Sequence, residues 1–324
     1  MVSPQKQSAP GTSAERRYVI DGHSFRAAPA DPGLHITATP IGNLGDITLR
    51  ALQVLAGVDV ILCEDTRVTR KLTSRYGITT PLQPYHDHNA AKVRPGILKR
   101  LEDGASIALV SDAGTPLVSD PGFKLALEAR ELGLPVHAIP GASAVLAGLT
   151  ISGLPSDAFM FAGFLPHKSG ERRRRLADLA DIPATVIYFD TASRIESTLS
   201  DIADILGDRP VAVTRELTKL HEEAITGSAR EVIDRIAARD GIRGEITLLI
   251  APPDRRDAVL GEDDLDAALR DALAEMTASR AAAHVAKELR LPRKQVYARA
   301  LALQGDHSRA GNDHRDVDEE GEDS

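Results

Sequence analysis

The chain has 324 residues, of which 42% are hydrophobic and 3% aromatic, so it is long enough for one large or two medium domains with hydrophobic cores. It has no apolar run of about 18 residues and no apolar segment near its start, which argues against a transmembrane helix and a secretory signal. Cys63 is its only cysteine, which excludes a disulfide framework and a cysteine-based zinc site. We therefore expect a cytoplasmic protein with no membrane partner.

The net charge of −8 is concentrated at the end of the chain. Residues 305–324 contain eight acidic and two basic side chains, a balance of −6 that leaves −2 for the rest. This balance argues mildly against a nucleic-acid partner, but a nearly neutral body can still carry a local basic surface. We predict that residues 305–324 form an acidic disordered tail. Residues 1–33, which are polar and rich in Ser, Pro and Ala, are predicted to be a disordered extension.

Strands and helices alternate along the first half of the chain. Four apolar stretches predict strands: LHITATP (34–40), VILCE (60–64), IALV (107–110) and VHAIP (136–140). Helices are predicted at 49–58, 122–133 and within 140–153, with Asp46 as a possible N-cap of the first. This alternation is typical of an α/β fold with a mostly parallel sheet.

The second half repeats the theme. Strands are predicted at 159–165, 185–189, 211–217 and 245–251, and helices at 170–180 and 193–207. We predict an N-terminal α/β domain (34–154), a second α/β domain (155–255) and a helical module (262–303) that resembles a helix-turn-helix in size. The basic residues of the module favour RNA contact, and the alternative is an ordinary three-helix bundle used for packing or dimerisation.

The loop SDAGTPLVSDPG (111–122) follows a buried strand and has almost no bulky side chains. TPIGNLGD (39–46) and PGASA (140–144) have the same character after two other strands. Ligands of open α/β folds bind beyond the carboxyl ends of the strands, where small residues let the backbone come close. Each loop alone could be a plain turn, but together the three predict a pocket. No phosphate-loop or dinucleotide fingerprint supports ATP or NAD binding.

Three polar stretches remain ambiguous. CEDTR (63–67) is either a helix start capped by Asp65 or Thr66, or part of the cleft. HDHN (86–89) has two histidines around an aspartate, which do not make a metal site, so we expect no metal and favour substrate binding or capping by Asn89. Lys168 and the arginines at 172–175 are either a solvated helix face or a phosphate-binding cluster.

A series of motifs occurs in an order that resembles a known family: TPIGNLGDIT, CEDTR, HDHN, LVSDAGTPLVSDPG, PGASA, GLPSD, GFLPHK, RELTKLHEE and GEITLLI. They cover about residues 34–303 and resemble the S-adenosylmethionine-dependent methyltransferases of the tetrapyrrole-methylase fold. Within them, the sequence is similar to enzymes that methylate the ribose 2′-hydroxyl of a decoding-region cytidine in 16S ribosomal RNA. The resemblance implies two α/β domains with S-adenosylmethionine in the cleft between them, a homodimer, and the small ribosomal subunit as partner.

The resemblance also implies a cofactor-binding set: Pro40, Asp112, Gly114, Thr115, Ser119, Ser143, Ala144, Phe189 and Thr247. Two positions depart from the family pattern, because Asp190 and Ser193 stand where Glu and His are expected, whereas Arg194 is kept. This departure puts any specific role of those two positions in doubt.

Methyl transfer to a ribose hydroxyl needs in-line placement of oxygen, carbon and sulfur, and it gains from a general base. The candidate bases or positioning groups are Asp65, His86 and Glu216. The candidate phosphate-binding groups are Arg67, Lys168 and Arg194. The sequence does not rank them, and the carboxylates could equally serve to orient the arginines.

Two rival functions stay open at this level. One is methylation of a small molecule such as a tetrapyrrole, against which the basic cluster and the helical module favour RNA. The other is a non-enzymatic RNA-binding protein with a degenerate cleft, against which the intact SDAGTP loop favours an enzyme.

Overall fold

The computed structural model describes residues 16–118, 122–239, 241–253, 262–289 and 292–310. The chain divides into two compact units, the first ending at Pro252 and the second starting at Pro253. The predicted acidic tail lies mostly outside the described residues, as does Ser119.

Residues 16–33 are ordered, in contrast to the predicted disordered extension. They contain an antiparallel hairpin of β1 (Arg17–Ile20) and β2 (His23–Arg26). Asp21 and Gly22 both have positive φ, the turn conformation that Asp-Gly pairs favour. Tyr18 is buried and stacks on Phe25 with ring centroids 5.5 Å apart. The hairpin is thus part of the hydrophobic core of the first unit. It was not predicted because the segment is polar on average.

The first large sheet is entirely parallel and has the strand order β5-β4-β6-β3-β7. Its strands are β3 (Gly33–Thr37), β4 (Val60–Cys63), β5 (Leu82–Pro84), β6 (Ser106–Leu109) and β7 (Val136–Ile139). Its helices are α1 (Leu49–Gly57), α2 (Thr66–Arg75), α3 (Asp87–Glu102), α4 (Phe123–Glu131) and α5 (Ala144–Ile151). The predicted parallel α/β arrangement of this half is confirmed. Strand β5 was not predicted, and the starts of α2 and α3 were foreseen only as one of two alternatives.

Successive residues of β4 face two separate cores. Ile61 packs with Leu52 and Leu55 of α1, and Leu62 packs with Ile97 of α3 and Leu125 of α4. This alternation follows from the two-residue period of a strand, and it covers both faces of the parallel sheet with helices.

Local capping explains where α1 begins. Thr48 is its N-cap, with the Thr48 Oγ1 accepting from the Ala51 N–H at 3.1 Å. The predicted cap, Asp46, instead lies in a short 3₁₀ turn (Leu44–Asp46) that Asn43 caps. The threonine is nearer to the first apolar turn of α1, so its hydroxyl reaches the unpaired N–H groups there.

The second large sheet is mixed, which differs from the predicted repeat of a parallel theme. Its strand order is β11-β10-β12-β9-β8, and β8 pairs with β9 in parallel, whereas the other pairs are antiparallel. Its strands are β8 (Phe159–Phe164), β9 (Thr185–Thr191), β10 (Pro210–Arg215), β11 (Glu223–Ser228) and β12 (Glu245–Ile250). Its helices are α6 (Ser169–Asp178), α7 (Ile195–Leu206) and α8 (Ala229–Ala237). Apolar runs in the sequence predict where strands lie but not whether neighbouring strands run parallel or antiparallel.

Helix α5 connects the two sheets. Val145 and Leu149 of α5 pack on Ile187, Ala212 and Leu249 of the second sheet. The division between the two α/β domains near residues 154 and 155 stays a prediction, since both sheets belong to one compact unit. Below, the first domain and the second domain denote the parts of this unit that contain the first and the second large sheet.

The second unit contains α9 (Glu262–Glu275), α10 (Ala278–Glu288) and α11 (Arg293–Ala310). Leu269, Ala281, Val285 and Val296 form its core. An ion pair between Arg299 and Asp266 at 2.7 Å links α11 to α9. Of the helices described, none is long and apolar enough to cross a membrane.

Candidate active site

Three small-residue loops meet at the carboxyl ends of β3, β6 and β7. The Thr39 N–H donates to the Gly114 carbonyl at 2.9 Å, and the Gly114 N–H donates back to Thr39 at 3.0 Å. The Thr115 hydroxyl donates to the Ala142 carbonyl at 3.2 Å, which ties the loop after β6 to the loop after β7. These bonds hold together the loops that the sequence predicted to outline a pocket.

Backbone geometry explains the glycine in the SDAGTP loop. Gly114 has φ of +81°, and a Cβ there would lie 3.2 Å from Cγ2 of Ile41. Side chains are disfavoured at such a φ, so glycine suits both the turn and the close approach to Ile41. Leu117, in the same loop, has φ of +73° without being glycine, which is a strained conformation.

A cavity of about 370 Å³ lies between these loops and the second sheet. This volume is within the range of small-molecule sites, about 300–1,000 Å³. One wall comes from the first domain: Ile41, Ala113, Gly114, Thr115, Val118, Ser143, Ala144 and Val145. The opposite wall comes from the second: Phe164, Phe189, Asp190, Thr191, Leu217, Gly244, Glu245, Ile246 and Thr247.

The cavity gathers most of the residues proposed for cofactor binding. Those on its walls are Gly114, Thr115, Ser143, Ala144, Phe189 and Thr247. Pro40 is buried beside the cavity-lining Ile41. Asp112 precedes the wall residue Ala113, but its carboxylate accepts from the backbone N–H of Asp65. Ser119 lies outside the described residues. The cofactor-binding role of each residue stays a prediction.

An aromatic cluster forms part of the second-domain wall. Phe189 lies 4.7 Å from Phe161 and 5.6 Å from Phe164 between ring centroids. Phe164 is 57% exposed although it is large and apolar, because one side of its ring faces the cavity. Sequence reasoning missed Phe164, although it stands inside the GFLPHK motif.

Arg194 is engaged inside the protein. Its guanidinium pairs with the fully buried Asp190 carboxylate at 2.9 Å, and the Thr198 hydroxyl donates to the same carboxylate at 2.7 Å. The remaining donors of Arg194 reach the Leu165 carbonyl at 3.1 Å and Nδ1 of His167 at 2.9 Å. These contacts fix the loop between β8 and α6, and they argue against the prediction that Arg194 holds a phosphate.

Glu216 belongs to an ion cluster at the cavity rim. Lys219 Nζ lies 3.0 Å from the carboxylate of Glu216 and 2.9 Å from that of Glu245. The hydrogen bond from Lys219 lowers the pKa of Glu216. A Cβ on Gly42 would lie 2.6 Å from Cε of Lys219, and a Cβ on Gly244 would collide with Glu216. The Lys219 side chain therefore reaches from the second domain to the loop after β3.

Asp65 is the N-cap of α2, which is the capping alternative foreseen from the sequence. Its carboxylate accepts from the backbone N–H of Arg67 at 2.8 Å and pairs with the Arg67 guanidinium at 2.6 Å. The side-chain hydrogen bond from Arg67 holds the pKa of Asp65 at about 2. Asp65 is thus an ionised cap with its own cationic partner.

A second acidic group and a histidine lie beside this cap. Burial and the nearby charges of Asp112 and Asp87 raise the pKa of Glu64. His86 is the N-cap of α3, and its backbone N–H donates to Oδ1 of Asn89 at 2.9 Å. Asn89 therefore helps to cap α3, as one alternative predicted. Within the described ranges, no cluster of three or more His, Cys, Asp or Glu side chains could hold a metal ion.

Part of the basic cluster around α6 is paired with acidic side chains. Arg172 is buried and pairs with Asp201 at 2.7 Å, and Arg173 pairs with Asp201 at 3.1 Å and Asp204 at 2.9 Å. Lys168 is 83% exposed and lies 3.5 Å from Glu171. The phosphate-binding alternative therefore does not hold for Arg172 and Arg173, and Lys168 stays a candidate.

Two family profiles match parts of this chain. The family profile of the tetrapyrrole (corrin/porphyrin) methylases matches residues 33–233, and the profile described as the RsmI C-terminal HTH domain matches residues 259–304. The chain belongs to the tetrapyrrole (corrin/porphyrin) methylase family and is a methyltransferase. The family resemblance seen in the sequence motifs is thereby confirmed.

Relatives named ribosomal RNA small subunit methyltransferase I match most of the chain. That of Mesorhizobium japonicum is 49% identical over 86% of this chain and 94% of its own length. That of Erythrobacter litoralis is 49% identical over 87% of this chain and 99% of its own. Among solved structures, a diphthine synthase aligns with 67% of this chain and 89% of its own at a TM-score of 0.53 and 15% identity, which shows the fold alone.

Proposed function

We propose that this methyltransferase transfers a methyl group from S-adenosylmethionine to the ribose 2′-hydroxyl of a cytidine in the decoding region of 16S ribosomal RNA. The observation that carries the proposal is the 49% identity, over 86% and 87% of the chain, to two relatives named for the small-subunit RNA. The match of residues 259–304 to the profile described as the RsmI C-terminal HTH domain supports RNA over a small-molecule acceptor such as a tetrapyrrole.

The cavity fits the proposed cofactor in size and in chemistry. Its volume of about 370 Å³ suits a small molecule, and Gly114, which has no side chain, forms part of its wall. We propose that the hydroxyl-bearing side chains and backbone groups of Thr115 and Ser143 bind the polar parts of the cofactor. Phe189 and Phe164 would provide an apolar surface for its flat ring.

The chemical demand on the protein is mainly positional. S-adenosylmethionine, when bound, supplies a methyl group on a positively charged sulfur. The residues of the cleft must exclude water and align the incoming hydroxyl with that carbon, which alone lowers the barrier substantially. The small-residue loops and the Arg194 network, which fix both walls, suit this task.

The candidate bases differ in how well they suit proton transfer. A base works best when its pKa lies near the working pH. The pKa values of Asp65 and Glu216 are lowered by hydrogen bonds from Arg67 and Lys219, which makes both carboxylates weak bases. We propose positioning roles for these two. His86 stays a candidate base. Glu64, which was not predicted from the sequence, becomes a second candidate because its pKa is raised.

The remaining expectations rest on the family resemblance. We propose that the small ribosomal subunit is the substrate, that the protein is a homodimer, and that it acts in the cytoplasm. Sedimentation of the purified chain at micromolar concentration tests the dimer, because a monomer there would contradict it.

A methyl-transfer assay tests the function. The protein would be mixed with labelled S-adenosylmethionine and with small subunits from cells lacking the modification, and naked 16S RNA would serve as a second acceptor. Nuclease digestion and mass spectrometry would locate the methyl group. A single ribose methyl in the decoding region, formed faster on subunits than on naked RNA, is the expected result. Cofactor binding without transfer to either acceptor would refute the RNA proposal and leave the small-molecule alternative.

A further inference from the structure

One exposed surface of the first domain is strongly basic and is not part of the cavity. It is the exposed side of α2, which we call the α2 basic face and define by Arg67, Arg70, Lys71, Ser74 and Arg75. These positions are three, four, seven and eight residues after the first, so they form one stripe on a helix. The opposite side of α2 buries Thr69, Leu72 and Thr73 in the core. The helix contains four cationic residues and no acidic one.

The charges of this face are not neutralised internally. Arg67 has an ion pair there, with Asp65. In the part of the chain that the structure describes, no carboxylate oxygen lies within 4 Å of the cationic groups of Arg70, Lys71 or Arg75. Helix α6 differs in part, since its Arg172 and Arg173 are paired with Asp201 and Asp204 of α7. The difference indicates that α2 keeps its cations available to a partner.

The face also carries an open depression. A groove of about 470 Å³ is lined by Thr66, Arg67, Arg70, Lys71 and Ser74. Its polar groups are three cations and two hydroxyls, all of which can donate hydrogen bonds. Phosphate oxygens are acceptors, and contacts of this kind position proteins on nucleic-acid backbones.

Two hydrogen bonds fix α2 relative to the loops of the cavity. At its start, the Asp65 N–H donates to the carboxylate of Asp112 at 3.1 Å, and the next residue of that loop, Ala113, lines the cavity. At its end, the Tyr76 hydroxyl donates to the Leu44 carbonyl at 2.7 Å, in the loop that follows β3 and the cavity-lining Ile41. The basic face is therefore held in a constant position with respect to the cavity walls.

We propose that the α2 basic face binds the phosphate backbone of the RNA whose ribose enters the cavity. The proposal rests on the proposed function. From Arg67 to Arg75 the helix rises about 12 Å at 1.5 Å per residue, which matches the axial length of about three stacked nucleotides. The body of the protein is nearly neutral, so a compact face of this kind can provide local attraction that the overall charge does not.

The test compares two double variants that remove the same charge. Arg70→Gln/Lys71→Gln changes the basic face, and Lys124→Gln/Arg130→Gln changes exposed residues of α4. Glutamine has nearly the helix propensity of both residues, so both variants should fold. For each protein, methyl transfer to small subunits would be measured over a range of KCl concentrations. Calorimetry would give the affinity for S-adenosylmethionine.

We expect kcat/KM of the α2 variant for subunits to fall about tenfold and its log–log salt slope to flatten by about 1.5, because two phosphate contacts are lost. Cofactor affinity should not change, and the α4 variant should behave like the wild type. Equal rates and salt slopes in the two variants would refute the proposal for α2 and leave the proposed function standing. No transfer by the wild-type protein would instead refute the proposed function, and the α2 proposal with it.

Discussion

Thr39 and Gly114 exchange backbone hydrogen bonds in both directions, at 2.9 and 3.0 Å, although one follows β3 and the other follows β6. Both bonds join backbone groups, so the bridge depends on the backbone conformation of each loop. The φ of +81° at Gly114 is the feature that a substitution would disturb most directly.

Replacement of Gly114 by alanine should therefore impair both stability and cofactor binding. The new Cβ would meet Ile41 at 3.2 Å in a conformation that side chains disfavour. We expect a loss of about 1–2 kcal/mol in the free energy of unfolding. Affinity for S-adenosylmethionine should also fall at least about tenfold, which calorimetry would measure. Gly96→Ala in α3 is the matched control, because a Cβ there meets nothing within 4 Å. Equal cofactor affinity in the two variants would show that this loop does not contribute to the cofactor site.

The buried Asp190–Arg194 pair leads to a second prediction. Asp190→Asn leaves the guanidinium of Arg194 poorly compensated in a mostly buried position. We expect the free energy of unfolding to fall by about 2–3 kcal/mol in urea titrations. Asp204→Asn, which removes a half-exposed partner of Arg173, should cost much less. Equal losses in the free energy of unfolding for Asp190→Asn and Asp204→Asn would contradict a special contribution of the buried pair.

Asp65 provides a test of the catalytic assignment. Because Arg67 holds its pKa at about 2, Asp65 binds a proton too weakly to accept one efficiently near neutral pH. Asparagine also caps helices well, so Asp65→Asn should retain kcat within about threefold and keep the acid limb of the pH–rate profile. A general base would instead lose about 10² to 10⁴ in rate. A loss of that size, with α2 intact by circular dichroism, would restore Asp65 as the base.

His35 should make the stability of the protein depend on pH. It is buried on β3 and stacks on His137 at 4.7 Å, and burial lowers its pKa. The Asp31 carbonyl, 2.9 Å from Nε2, opposes that shift, whereas the charge of Arg50 adds to it. The unfolded chain thus binds a proton more readily than the folded one.

Stability is therefore complete above the unfolded pKa of about 6.5 and decreases as the pH falls below it. Urea titrations between pH 7.5 and 5 would measure this decrease, with a limiting slope of about 1.4 kcal/mol per pH unit from this group. His35→Leu should flatten the dependence, and His23→Gln, on the exposed strand β2, should not. An unchanged slope in His35→Leu would show that other groups cause it.

The sequence predicts the first domain better than the second. In the first, apolar runs such as 107–110 end at small residues, and both signals are local, so strands and pocket loops are recognisable together. In the second, Glu245 pairs with Thr191 across antiparallel strands that are far apart in the chain. Because no local pattern encodes that pairing, Glu245, Gly244 and Thr191 were not predicted on the cavity wall.

Charged residues show a similar limit. A run of four arginines at 172–175 predicts a basic surface, but Asp201 on α7 buries Arg172 and engages Arg173. In α2, by contrast, the cations fall on one side and no acid accompanies them within the helix. The sequence alone does not show that acids of another helix pair with Arg172 and Arg173, so the three-dimensional structure is needed to distinguish a paired basic run from an unpaired one.

The burial of Cys63 makes the chain convenient for chemical labelling. It is the only cysteine, it is fully buried in β4, and burial raises the pKa of its thiol. The thiolate is the form that reacts with maleimides, so the native residue should remain unmodified while the protein is folded. A cysteine introduced at Ser74 would then carry a fluorophore or cross-linker alone, and the approach of a ribosomal particle to α2 could be followed without first deleting the native thiol.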